Sequence, residues 1–328
     1  MIATTPANSI DAHAHWAPRA YIDYAEKQGG KVSGGPIDPM MYDLEARMKW
    51  MDSRGVKTHV LTLSGSMPWQ WASLDAAKEL ARIVNDAAIA AHKENPDRFI
   101  AGAAIPMRDP KAALAELDRV AGAPGMRAVH LPNSVEGIDY LFTPAYAPLV
   151  RRCEELGYPL LFHPLDGQPN HYGGPERLAG NNFIYNTLGF PFETATTAAK
   201  FIFSGTLDKF PKLDIVLPHS GGCFPYIAGR IQHSINKGAT ENKLKRPVRD
   251  YLRRFHYDSM AYYPETLRFM ISLLGTDRIV IGTDSFATMD VDQPNELVEQ
   301  LNLPAAEREQ IFSGNAKRLF KKIGRAHV

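Results

Sequence analysis

The stretch Ser9-Ile10-Asp11-Ala12-His13-Ala14-His15 decides how the chain is read. Residues 9–12 read as a short, buried strand near the chain start. Side chains two apart on a strand share a face, so His13 and His15 look toward one site at its end. Two imidazoles placed like this suit a divalent ion such as zinc, whose usual donors include His and carboxylate. One His-x-His pair is a weak signal by itself. Three further apolar runs end in the same way: Leu160-Leu161-Phe162-His163, Ile215-Val216-Leu217-Pro218-His219 and Ile279-Val280-Ile281-Gly282-Thr283-Asp284.

Outward from these runs, strand and helix signals alternate. Further strands are predicted at 58–63, 99–105, 127–131 and 256–259. Helices are predicted at 43–53, 74–93, 193–207, 224–236 and 265–274. Asp109-Pro110 and Thr143-Pro144 open two more, by pairing an N-cap with proline at the first helical position. Gly122 and Gly157 close them. The Gly/Pro-rich segment 28–39 reads as an excursion over the barrel mouth, and the tail as two or three short helices. Eight strands, each followed by a helix and several of them apolar throughout, predict an α/β protein of the (β/α)8 TIM-barrel type, one domain spanning 1–328. The loop 164–189 is long for a compact domain and reads as a functional lid.

Composition narrows the function classes. The chain has 328 residues, 45% hydrophobic and 22% charged, with a formal net charge of +1. That balance gives no electrostatic reason to expect a nucleic-acid or anionic-membrane partner. No apolar run approaches the ~18 residues of a membrane span. The first residues lack the basic and apolar parts of a signal peptide. Cys153 and Cys223 do not make a disulfide framework, so a reducing cytoplasm is the expected compartment.

In a barrel of this type the reacting groups stand at the C-terminal strand ends. His13, His15, His163, His219 and Asp284 all fall there. Any one of them reads equally well as a satisfied buried histidine or a capping aspartate; five at matching ends read as a metal centre. His59, His92, His130, His233 and His256 do not share the pattern and read as structural or surface residues. His171 lies in the long loop, within reach of the mouth.

The chain resembles the amidohydrolase superfamily, in particular its decarboxylase branch, which includes the α-amino-β-carboxymuconate-ε-semialdehyde and γ-resorcylate decarboxylases. The resemblance rests on IDAHAHWAP (10–18), ARMKWMDSRGV (46–56), LFHPLDG (161–167), FSGTLDKFPKLDIVLPHSGGCFPYIAGR (203–230) and VIGTDSF (280–286). It implies that His13, His15, His163 and Asp284 bind one divalent ion. It also implies that His219 is a general acid/base beside that ion, with Asp284 sharing in proton transfer. No lysine ends the fourth strand, which argues against the two-metal hydrolases of the superfamily. Some members of the branch carry Glu where this chain has His13, so zinc is the first expectation and manganese the second.

The implied activity is metal-dependent, non-oxidative decarboxylation of an aromatic or unsaturated carboxylic acid, by a carbon-carbon lyase (carboxy-lyase). The competing reading keeps the site and hydrolyses a lactone or amide, or hydrates an alkene. Arg47 is the candidate partner for a substrate carboxylate, since arginine binds carboxylates bidentately; its bland reading is a surface helix charge. Phe286 and Trp16 are candidate walls of the substrate pocket, or core residues. The arginines that bind the semialdehyde in that branch have no counterpart here. Arg19 is badly placed, and Asn236-Lys237-Gly238 stands where the second is expected. This argues against the semialdehyde as substrate. The resemblance further implies a homodimer, with 222–230 at the partner contact.

Overall fold

The computed structural model describes residues 8–32, 36–65, 67–165, 183–240 and 244–321. Eight parallel strands pair in sequence order. They are β1 (Ser9–His15), β2 (Val56–Thr62), β3 (Phe99–Ala104), β4 (Met126–Pro132), β5 (Leu160–His163), β6 (Ile215–Leu217), β7 (Phe255–Asp258) and β8 (Ile279–Val280). Bridges from Asp11 to Ile281 and from Ala14 to Ser285 bring β8 back to β1 and close the barrel. This is the (β/α)8 architecture expected from the sequence.

The helices include α1 (Arg19–Lys27), α2 (Leu44–Ser53), α3 (Leu74–Glu94), α4 (Pro110–Val120), α5 (Ala147–Leu156), α6 (Phe190–Phe203), α7 (Phe224–Asn236), α8 (Pro264–Leu274) and, near the end, α9 (Asn315–Leu319). Side-chain caps start several of them. Asp43 accepts from the Ala46 amide at 2.9 Å, Ser73 from Ala76 at 3.3 Å, and Asp109 from Ala112 at 2.7 Å. Gly157 ends α5 at φ 63°, a left-handed stop that glycine adopts without strain.

Two apolar layers hold the barrel. Ile10, Ala12, Val60, Ile100, Ala128, Leu161, Val216 and Val280 fill the lumen, and Ala316 and Leu319 of α9, with Phe320 just after it, join them. The larger layer lies between strands and helices, with Met51, Leu80, Phe99, Phe201, Phe224 and Phe255 deeply buried. With the lumen packed at its base, polar groups gather at the other end.

The structure corrects three boundaries. Helix α1 precedes the expected excursion; it starts after Pro18 with no side-chain cap, so the usual start signal is missing. The helix expected over 193–207 instead runs Phe190–Phe203, followed by a short turn, Thr206–Lys209. The loop expected to last until 189 is already helical from Tyr185, where a π turn, Tyr185–Gly189, runs into α6. Most of that loop, His171 included, lies outside the described residues.

Candidate metal centre

Strict alternation along β1 raises a conflict. Ile10 and Ala12 face the lumen, so His13 and His15 should face outward. The register resolves it: Asp11 pairs with His59 while Ala14 pairs with Leu61, which puts one extra residue on β1. Such a bulge re-aims the side chains that follow it. His15 then pairs with Thr62, and both histidine rings reach the barrel mouth.

There the expected residues converge. One donor atom each from His13, His163, His219 and Asp284 lies within 4.8 Å of the other three. His15 belongs to the same knot. Its Nε2 is 2.7 Å from Asp284 Oδ1 and 3.2 Å from His13 Nε2. Asp284 Oδ1 is also 3.4 Å from His13 Nε2 and 3.7 Å from His163 Nε2. Donors on a tetrahedral ion with bonds of 2.0–2.1 Å stand about 3.3 Å apart, and these separations bracket that value.

Partners on the far side of each ring fix which nitrogen faces the centre. His13 Nδ1 is 2.8 Å from Asp258 Oδ2, and His163 Nδ1 is 2.7 Å from the Pro164 carbonyl. A carboxylate and a carbonyl only accept, so both Nδ1 atoms carry the proton and both Nε2 lone pairs point inward. His163 Nε2 and Asp284 Oδ1 are buried without a hydrogen-bond partner, as donors aimed at an ion would be.

The electrostatics agree. Burial opposes a charged His13, but the neighbouring carboxylates of Asp258 and Asp284 outweigh it and raise its pKa to about 10, so this spot favours positive charge. Burial lowers His15 to about 4, with the neighbouring His163 adding to the shift. Burial and His163 likewise lower His219 to about 3. Neutral imidazoles offer the lone pairs that a metal needs. Burial works against an ionised Asp284, yet the adjoining rings of His13, His15 and His163 hold it well below the usual carboxylate range. The donor set therefore fits a divalent ion.

The candidate substrate residues lie elsewhere. Arg47 is fully buried, behind the barrel wall. Its Nε donates to the Met40 carbonyl at 3.0 Å, one terminal nitrogen lies 3.0 Å from His59 Nδ1, and the other donates to the His15 carbonyl. The expected position at the mouth is thus corrected: Asp11 and His59 form a polar layer on the outer face of β1 and β2, and Arg47 turns into it. Phe286 packs on that guanidinium at 4.7 Å and against Trp50 at 5.3 Å. Trp16 is buried in the layer between strands and helices.

Sequence reading missed two residues at the centre. Asp258 ends β7, the same position by which Asp284 was found, so the strand-end rule would have reached it. Phe190 opens α6; it stacks on His219 with ring centroids 6.0 Å apart and meets His163 edge-on at 5.7 Å. No motif marked it. His130 proves to line a small cavity of about 10 Å³ beneath the centre, together with His13, Thr62 and Asp258.

A family model described as amidohydrolase matches residues 10–322. A 2-amino-3-carboxymuconate-6-semialdehyde decarboxylase from Dictyostelium discoideum is 28% identical, over 94% of this chain and 90% of its own length. A gamma-resorcylate decarboxylase from a Rhizobium species is 32% identical, over 85% of this chain and 88% of its own. The crystal structure of a dihydroxybenzoic acid decarboxylase from a Polaromonas species, with bound manganese and the inhibitor 2-nitroresorcinol, superposes with a TM-score of 0.80 at 28% identity, covering 96% of this chain and 97% of that one.

Proposed function

The chain belongs to the amidohydrolase family, and from that premise we propose that it is a metal-dependent, non-oxidative decarboxylase of an aromatic or unsaturated carboxylic acid. The observation that carries this reading is the convergence of His13, His15, His163 and Asp284 on one point. No lysine ends β4 to bridge a second ion. The relatives that match over most of the chain act on carboxylates of this class.

In this proposal the four residues hold the ion. Zinc is our first choice, because three imidazoles and a carboxylate suit it; manganese, the ion in the Polaromonas structure, is the second. The ion supplies Lewis acidity toward a substrate oxygen. His219 is neutral at rest and half-buried; a proton reaching it from solvent is given up readily to the carbon that bears the carboxylate, because burial lowers its pKa to about 3. Asp284 stands beside it and shares that proton traffic. Protonation at that carbon interrupts conjugation. The C–C bond then breaks, CO2 leaves, and the electron pair restores the conjugated system. Phe190 covers one face of His219.

We place the enzyme in the cytoplasm, on the grounds of its two free cysteines. Among the described residues no helix is long and apolar enough to cross a membrane. We also propose a homodimer. Tyr226, within 222–230, is 81% exposed, and Tyr263 is 70% exposed, as expected of aromatics that meet a second copy. A monomer by light scattering at micromolar concentration would remove that part.

The function is tested with a panel of hydroxybenzoates, dihydroxybenzoates and carboxymuconate derivatives, alongside lactones and amides. At least one carboxylate should release CO2 at an ordinary enzymatic rate. Turnover of lactones or amides with no CO2 from any acid would transfer the site to a hydrolase.

A further inference from the structure

We infer that Asp258 is a positioning residue that sets the His13 ring and the His219 backbone with one carboxylate, so that metal binding and proton transfer depend on it together. This rests on the proposed roles of His13 as ligand and His219 as proton-transfer group. Asp258 Oδ2 accepts from His13 Nδ1 at 2.8 Å and from the His219 amide at 2.8 Å. Oδ1 accepts from the Ser220 amide at 2.6 Å and the Met260 amide at 3.3 Å. Ser220 Oγ donates to the Asp258 carbonyl at 3.2 Å.

The turn so held is strained. His219, Ser220, Gly221 and Gly222 have successive φ values of 51°, 55°, 75° and 60°. Two of these are non-glycine residues in the left-handed region, which persists only where the surroundings impose it. Here the imposing group is a buried anion capped by two adjacent amides. Asp258 cannot slide away on its other side either. A Cβ on Gly282 would lie 2.6 Å from Asp258 Cβ and 3.0 Å from His13 Cβ, so that wall is already in contact.

Only a carboxylate fits. Each oxygen faces N–H donors alone, so either orientation of an amide would set its NH2 against a backbone N–H. Asp258→Asn should therefore disturb the His13 ring, the His219 turn, or both, although it changes the shape very little.

The test uses the full chain with Asp258→Asn and Asp258→Ala. Zinc affinity, measured by competition with a chromophoric chelator, should fall about 10–100-fold, the usual cost of losing such a partner. At saturating zinc, kcat should stay at least about 10-fold down with KM little changed, because His219 remains displaced. Formate, small enough to replace the missing carboxylate, should restore part of kcat in Asp258→Ala. Wild-type zinc affinity in Asp258→Asn would overturn the inference. So would full kcat at saturating zinc, which would leave Asp258 serving His13 alone. Should both variants fail to fold, 15N-histidine NMR of the wild-type protein decides: a slowly exchanging proton on His13 Nδ1 is expected, and its absence overturns the inference. The affinity and NMR measurements need no turnover, so a failed decarboxylation assay would count against the proposed function and not against this inference.

Discussion

His163 and His219 stand at the ends of neighbouring strands, yet their rings have different surroundings. His163 Nδ1 is pinned to a carbonyl and its Nε2 aims at the centre, whereas His219 is held mainly through its backbone. His163→Ala should therefore lose the metal first and activity as a consequence. His219→Ala should keep the metal and lose about 10²-fold or more in kcat, as for a missing general acid/base. Elemental analysis beside kinetics separates the two; an empty site in His219→Ala would make it a ligand. Arg47 makes a second prediction at this scale. Its hydrogen bond to the His15 carbonyl is buried and that to the Met40 carbonyl partly so, so Arg47→Met should cost about 2–4 kcal/mol in urea unfolding. A change in KM alone, at unaltered stability, would return Arg47 to a substrate role. Helical spacing offered no means of telling these apart, because a charged side chain on a helix reads as surface or mouth until the polar layer of Asp11 and His59 beneath it is seen.

Among the elements, the turn between β6 and α7 is the most constrained. A Cβ on Gly222 would lie 2.0 Å from the Pro191 carbonyl oxygen, so this turn and the start of α6 touch backbone to backbone. That contact also seats Phe190 against His219. Gly222→Ala should destabilise the protein by about 2–4 kcal/mol, from the positive φ and the clash together, and lower kcat. Unchanged stability and activity would show that α6 can retreat freely. The strands were legible because an apolar run ending in His or Asp is a local pattern. The β1 bulge was not legible, since it follows from pairing with β2. Phe190 was hidden for a similar reason: its role comes from contacts with the ends of two neighbouring strands, about 27 and 29 residues away in sequence.

For the whole molecule, three buried histidines outside the proposed ligand set predict acid sensitivity. Burial pulls His59 and His130 well below their ordinary pKa and lowers His256 to about 3. Each takes a proton near pH 6.5 when unfolded but stays neutral when folded. Their contribution is thus complete at neutral pH and lost as pH falls below about 6.5. At pH 5.5 each costs about 1.4 kcal/mol. Burial pushes Asp11 up to about 7, so its folded form gains a proton over the same range and offsets about one of the three. Acid also weakens metal binding, which acts in the same direction. Urea unfolding at saturating zinc should show lower stability at pH 5.5 than at pH 7.5; equal or higher stability at pH 5.5 would contradict this balance.

The central claim joins the four-residue convergence at the barrel rim to the release of CO2. Its most direct measurement follows 13CO2 from carboxyl-labelled 2,6-dihydroxybenzoate and related labelled acids, using protein first stripped by a chelator and then given one equivalent of zinc or manganese. The account predicts no release from stripped protein and restored release with one ion per chain. Full activity in stripped protein, or no labelled CO2 from any acid after the metal is restored, would contradict it.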